Sequence, residues 1–378
     1  MKNPRILILE NSIAVTGGLT SIVRSSSYMR DRYDFVFVLP AKSKGVTFVK
    51  QHDFPVREFR MREISRRLSS LVFYIPTLLY NVMKFRSFIR RERIDLIVNN
   101  DFYNMLPPLY RFLGGQIPYV TFVRFMPGRF PKLLVNLWQG MHVRFATNIL
   151  AVSNAVKREL PFHTGIEVIR HELPEGSGLD SPGTSRVILY PANYISGKGQ
   201  QHALAAFALI FRNYPDWKLR FVGGDMGVKK NAAFKTELIR QANALGLGAQ
   251  VEWKGFSANM KEEYEAASIV LMFSESESFS LTCMEGLFYC RAVIATRCGG
   301  PEEIIRDGQS GMLVPKRDIS QMAATIEKLI REPALRESLS REGRRSILEH
   351  FSYDKTIVKL AEAYQKALGL PPDKIPIP

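Results

Sequence analysis

Short apolar runs recur along the chain. Each is closed by a glycine or a polar turn, and apolar positions three and four residues apart follow. Runs that are apolar on both faces suit strands covered from two sides, and the helical spacing between them suits the covering helices. In the first half the runs predict strands at Ile6–Leu9, Phe35–Leu39, Leu96–Asn99, Tyr119–Val123 and Ile149–Val152, with helices such as Thr20–Met29 and Leu78–Arg91 between them. Glycine, proline and serine then crowd Glu172–Ser185, which reads as a linker. A second series predicts strands at Val187–Tyr190, Leu219–Val222, Gln250–Trp253, Ile269–Phe273, Val293–Ala295 and Met312–Val314. Its helices include Gln201–Phe211, Ala232–Ala244, Leu281–Tyr289, Ile319–Arg331 and Ala334–Leu348, and a last helix, Asp354–Leu368, precedes a proline-rich tail.

Strand and helix in alternation predict an α/β protein with two tandem, doubly wound parallel-sheet domains and an interdomain cleft. The expected boundaries are residues 1–170 for the first domain, 171–186 for the linker and 187–350 for the second domain. Residues 351–378 form a helix and tail expected to return to the first domain. A chain of 378 residues accommodates two domains, and 46% apolar with 23% charged residues is a globular composition. The start, MKNPRILILENS, reads as a first buried strand, Arg5 to Glu10, rather than as a signal peptide. The longest apolar stretch, Leu68 to Met83, is interrupted by Pro76 and Asn81 and is too short to span a bilayer. Cys283, Cys290 and Cys298 fit neither a zinc site nor a disulfide framework, which points to a reducing, cytoplasmic location.

Charge changes the picture. Residues 1–165 hold 25 lysines and arginines against 10 carboxylates, whereas the rest of the chain is nearly balanced. The first domain therefore faces an anionic partner. Arg57 to Arg93 alone contains ten of the cations, and Leu68, Leu71, Val72, Phe73 and Ile75 interleave with the first cluster. An anionic membrane surface is the expected partner of Arg57–Leu71, with the protein peripheral on the inner face of the membrane, whereas Leu78–Arg91 reads as a domain helix with a solvated outer face. A basic nucleic-acid-binding protein is the alternative, but no motif for it is visible and no nucleic acid is expected.

Candidate chemistry gathers in the second half. Glu277 and Glu285 stand eight positions apart in E-S-F-S-L-T-C-M-E, with Phe279, Ser280 and Leu281 between them. The helical pattern starts at Leu281, so one acid precedes a helix and the other lies a turn inside it. Unpaired N–H groups at a helix start suit a phosphate, and carboxylates accept hydrogen bonds from sugar hydroxyls. Lys198 lies in S-G-K-G-Q after the Val187–Tyr190 run, Gly223-Gly224 closes another run, and Gly255-Phe256 a third. Gly299-Gly300 and Asp307-Gly308 follow later. Gly17-Gly18 sits between the first strand and the first helix, where glycine lets backbone approach a diphosphate.

These elements, in this order, resemble the family-4 retaining glycosyltransferases (glycosyl transferases group 1), whose mark is an E-x7-E motif. The resemblance implies the GT-B fold of two Rossmann-like domains and a nucleotide diphosphate-sugar donor, a UDP-sugar by default. It implies that Glu277 meets the donor sugar, Glu285 the ribose and Lys198 the diphosphate. Gly17, Gly18, Gly224 and Phe256 would line the donor. Two departures stand out. Ser278 and Ser280 replace the glycines of the family's E-G-F-G-L, and Asn193 replaces an arginine. Arg124 stands where many relatives have a histidine and is expected to act as a catalytic cation in its place. No D-x-D occurs and no histidine pair has metal-ligand spacing, so neither a metal nor a cofactor is expected. The implied activity is retaining transfer to a lipid-linked or polysaccharide acceptor, as in lipopolysaccharide or other envelope glycan synthesis. A nucleotide-sugar-binding protein that no longer transfers is the alternative.

Overall fold

A computed structural model describes residues 3–61, 68–163, 165–174, 176, 178–257 and 259–371. The chain divides into two compact units, Met1–Glu172 with Tyr353–Pro378, and Leu173–Ser352.

The first unit holds seven parallel strands: β1 (Arg5–Leu9), β2 (Asp34–Pro40), β3 (Val56–Phe59), β4 (Leu96–Asn99), β5 (Tyr119–Val123), β6 (Asn148–Ala151) and β7 (Ile166–Val168). Their order is β3-β2-β1-β4-β5-β6-β7. The second unit holds six: β8 (Val187–Pro191), β9 (Lys218–Val222), β10 (Val251–Lys254), β11 (Ile269–Met272), β12 (Ala292–Thr296) and β13 (Met312–Val314), in the order β10-β9-β8-β11-β12-β13. Each sheet thus reverses direction of travel beside its first strand, at β1/β4 and at β8/β11. In doubly wound sheets that switch point opens a crevice beyond the carboxyl ends of the strands. Every residue of β4, β5, β6, β11 and β12 is buried, as two-sided cover requires.

Most predicted strands appear within a residue or two of their expected bounds. Two strands were not anticipated, β3 and β7. Both lie at an end of the first sheet, and their sequences, V-R-E-F and I-E-V, interrupt apolar residues with charge. An edge strand has one ladder to make and needs less apolar surface. The helix expected at Leu78–Arg91 is longer, Leu68–Glu92, and continues through Pro76. No helix or strand is formed between β7 and β8 among the described residues. The helix Tyr353–Leu368 belongs to the first unit and packs on β4 and β5, with Tyr364 edge-on to Tyr33 at 6.0 Å. Among the described residues no helix is long and apolar enough to cross a membrane. The Arg57–Leu71 segment, expected on an anionic membrane, includes residues 62–67, which lie outside the described residues.

Candidate functional site

The predicted donor residues of the second unit lie in loops that leave the carboxyl ends of β8 to β11, or in the helix Leu281–Phe288 that follows β11. Lys198 and Glu277 come together: Lys198 Nζ donates to Glu277 Oε1 at 2.7 Å. Their side chains are 32% and 14% exposed, so the pair is only partly open to solvent. Local structure dictates the meeting. Gly199 has φ +85°, and a Cβ there would come within 2.0 Å of the Phe273 carbonyl oxygen, so only glycine turns the chain this close to β11. Beneath it, the Tyr190 hydroxyl donates to the Lys198 carbonyl and accepts the Phe273 N–H at 2.9 Å. Glu277 is clamped through its backbone, its N–H bonded to the Cys298 carbonyl at 3.0 Å and its carbonyl to the Gly300 N–H at 2.8 Å.

Behind Glu277 the helix Leu281–Phe288 begins. Ser280 caps it from the left-handed region, φ +94°, and its Oγ accepts the Cys283 N–H at 3.3 Å. Phe279 is buried, its ring 5.8 Å from that of Phe351. Leu281 is the first helical residue, and Thr282 ties the helix back to β8 by donating to the Pro191 carbonyl at 3.1 Å. Glu285 lies one turn further on, where Tyr264 donates its hydroxyl to Oε2 at 3.1 Å. Burial, with Glu285 beside it, pushes the Tyr264 phenol well above its usual range and keeps it a neutral donor.

Asn193 does not supply charge. Its Oδ1 accepts the Gly224 N–H at 3.0 Å, and the Tyr194 N–H binds the Gly224 carbonyl at 2.9 Å, so Asn193 stitches the end of β8 to the end of β9. Both backbone groups of Gly224 are thereby engaged. Phe256, exposed after β10, has its Cβ 3.6 Å from where a Gly224 side chain would begin.

Sequence reasoning missed a neighbouring cluster. Arg317 donates to both oxygens of Glu275, at 2.8 and 2.9 Å from Nε, and His202 Nε2 lies 3.0 Å from Oε1. The Arg317 hydrogen bonds hold the Glu275 carboxyl down at about 2. The signal was present as a second glutamate two residues before Glu277. Tyr190 and Tyr264 carried no signal, because each reads as an ordinary core aromatic.

In the first unit Gly17 and Gly18 open the helix Gly17–Tyr28, capped by Thr16, whose Oγ1 accepts the Leu19 N–H at 3.2 Å. Arg124 passes directly over Gly18: a Cβ on Gly18 would lie 3.0 Å from Arg124 Cδ. Arg124 Nε donates to Asn100 Oδ1 at 2.6 Å, and its guanidinium lies 4.1 Å from the centre of the Phe122 ring. Asn100 in turn donates to Glu10, and Asp101 Oδ1 accepts the Arg124 N–H at 3.4 Å. Burial lowers the Arg124 pKa, opposed by Glu172, Asp101 and Glu10, and burial raises that of Asp101. Gly18 and Arg124 are therefore one constellation at the β1/β4 switch point. Its acids, Glu10 and Asp101, went unremarked in the sequence, although a carboxylate ending an apolar run and the burst Asn99-Asn100-Asp101 after another are readable signals.

Two tandem doubly wound sheets with this strand order, each with its polar loops at the carboxyl edge, are the GT-B fold. Residues 177–346, nearly all of the second unit, match the family model described as Glycosyl transferases group 1. Among curated proteins the chain is 31% identical over 184 residues to EpsD of Bacillus subtilis, a glycosyltransferase by provisional name, covering 49% of this chain and 46% of that one. It is 25% identical over 194 residues to the lipopolysaccharide core biosynthesis glycosyltransferase LpsE of Rhizobium meliloti, covering 51% and 53%. The chain spans about half or less of the length of the curated relatives it matches. The crystal structure of Anabaena HepE in complex with UDP and glucose superposes with a TM-score of 0.82 at 20% identity, over 95% of this chain and 99% of that one.

Proposed function

We propose that the protein is a retaining, metal-independent glycosyltransferase that moves a sugar from a nucleotide diphosphate-sugar, by default a UDP-sugar, to a lipid-linked or polysaccharide acceptor. The observation that carries this reading is the 2.7 Å Lys198–Glu277 pair, held at the carboxyl edge of the second sheet one loop ahead of the helix bearing Glu285. The ammonium of Lys198 and the start of that helix offset charge on the leaving diphosphate. Glu277 accepts a hydroxyl of the donor sugar and Glu285 one of the ribose. The acceptor hydroxyl attacks the anomeric carbon on the face the diphosphate leaves, its C–O bond forms as the sugar–phosphate bond breaks, and a leaving phosphate oxygen takes the proton. The second unit holds the donor and the basic first unit serves the acceptor; Gly17 and Gly18 keep the donor-lining role and Arg124 the catalytic-cation role expected of them. HepE's complex with UDP and glucose supports the donor class, and the name of LpsE supports an envelope glycan as product.

The test is release of UDP and labelled product by the purified chain from a panel of radiolabelled nucleotide-sugars, with and without chelator. Turnover is expected in both conditions, falling about 100-fold in Lys198→Ala, the ~3 kcal/mol that one electrostatic contact to the developing charge contributes. Loss in chelator restored by magnesium or manganese overturns metal independence.

A second reading, a nucleotide-sugar-binding protein without transferase activity, is favoured by one observation. Asn193, at the position of the family's arginine, is committed to Gly224 and brings no charge. Binding of a nucleotide-sugar with no turnover for any acceptor in the panel selects it.

A further inference from the structure

The helices Leu68–Glu92, Leu106–Phe112 and Lys132–Phe145 lie side by side over one face of the first sheet. Val82, Phe85, Leu106 and Tyr110 point inward and join Leu7, Leu9, Val36 and Val38 in one core. The outward positions are also apolar. Leu79, Tyr80 and Met83 are exposed on the first helix, Met83 by 75%, and Leu133, Leu137 and Val143 on the third, Leu133 by 80%. Each set spans one helical arc. Phe112, exposed at the end of the middle helix, meets the Phe145 ring at 6.1 Å and links the two sets. Scattered exposed apolar residues are ordinary, but a patch continued across neighbouring helices marks an interaction surface.

Charge narrows the partner. Exposed on the same arcs are Lys84, Arg90 and Arg91 of the first helix and Lys132 and Arg144 of the third. Two of these lie along aromatic rings, Lys84 Nζ at 4.5 Å from the centre of Phe59 and Arg144 at 5.6 Å from that of Phe145, so their stems follow apolar surface. The sole carboxylate in the three helices is Glu92. Its side chain is 13% exposed and bonds to Arg5 at 3.0 Å. A second copy docked through the same face would set these cations against each other. Nucleic acid would meet the cations but leave the leucines without an apolar partner. A bilayer with anionic headgroups accepts both.

We propose that this three-helix face, including the outer side of Leu78–Arg91 that the sequence led us to expect in solvent, docks the protein on an anionic lipid bilayer, with Leu133, Leu137 and Met83 entering the headgroup–acyl boundary and the surrounding cations on the headgroups. The surface is distinct from the loops at the sheet edges. The experiment is sedimentation of the full chain with vesicles of phosphatidylcholine alone or with phosphatidylglycerol, alongside light scattering for oligomeric state. Binding is expected only with phosphatidylglycerol and should weaken as salt rises. Lys132→Gln with Arg144→Gln should weaken partition about fivefold per cation removed. Leu133→Asp with Leu137→Asp should reduce it at least ~10-fold at unchanged thermal midpoint, because two insertion points are lost. Equal binding to neutral vesicles, indifference to both double substitutions, or a dimer that dissociates in Leu133→Asp/Leu137→Asp overturns the proposal. The assay uses no sugar donor, so its failure leaves the transferase reading untouched.

Discussion

Ser280 carries the sharpest local tension in the second unit. Its φ of +94° is a conformation that L side chains rarely adopt, and the motif it sits in resembles one with glycine at that place. The serine offsets part of the strain by capping Cys283. Strain of this kind costs ~1–3 kcal/mol, whereas replacing a capping serine by glycine costs only a few tenths. Ser280→Gly is therefore expected to raise stability by about 1 kcal/mol, read as an upward shift of the urea midpoint at constant slope. A downward shift would mean that the cap outweighs the strain. Arg124 shows the opposite relation between residue and surroundings. The sequence marked it as a cation standing where relatives have a histidine, and its neighbours Asn100, Asp101 and Glu10 make it part of a largely buried polar network.

Among elements, the loop after β12 is fixed by what it excludes. A Cβ on Gly300 would come within 2.2 Å of the Phe279 carbonyl oxygen, and that same residue's N–H holds Glu277. Gly300→Ala should push the two loops apart, costing more than ~1 kcal/mol of stability. It should also weaken the thermal shift on adding UDP, whereas Gly308→Ala, at a position with open space around it, should lose stability without changing that shift. The elements also show how far sequence reading reached. Buried strands such as β4 and β5 were legible to the residue, because two-sided cover demands an uninterrupted apolar run. Edge strands β3 and β7 were not, since one ladder and one covered side leave room for charge. In the same way Lys198 and Glu277 were legible from the glycines and carboxylates around them. Tyr190 and Tyr264 were not, because only folding brings their hydroxyls to a loop carbonyl and a carboxylate.

At the scale of the molecule, buried histidines make stability depend on pH. His142 is enclosed between the Tyr119 hydroxyl, 3.1 Å from Nδ1, and the Phe102 carbonyl, 2.6 Å from Nε2. Burial lowers its pKa to about 4, against ~6.5 in an unfolded chain. The unfolded state therefore binds the extra proton first. The stabilisation is complete above pH ~6.5 and is lost as pH falls toward 4. His171, also pushed down by burial, acts in the same direction. The thermal midpoint should fall across that window, and His142→Asn, although less stable near neutrality, should fall less steeply. An unchanged slope would assign the effect elsewhere. Chain order adds a constraint of another kind. The cover over β4 and β5 comes from Tyr353–Leu368, translated after the whole second unit, with Leu360, Ala361 and Tyr364 buried against the first. On the ribosome, the first sheet must wait with part of its core bare until Tyr353–Leu368 emerges, while the second sheet, continuous in sequence, can close by itself. A nonsense mutation near residue 352 would thus damage the first unit rather than the second, which it follows.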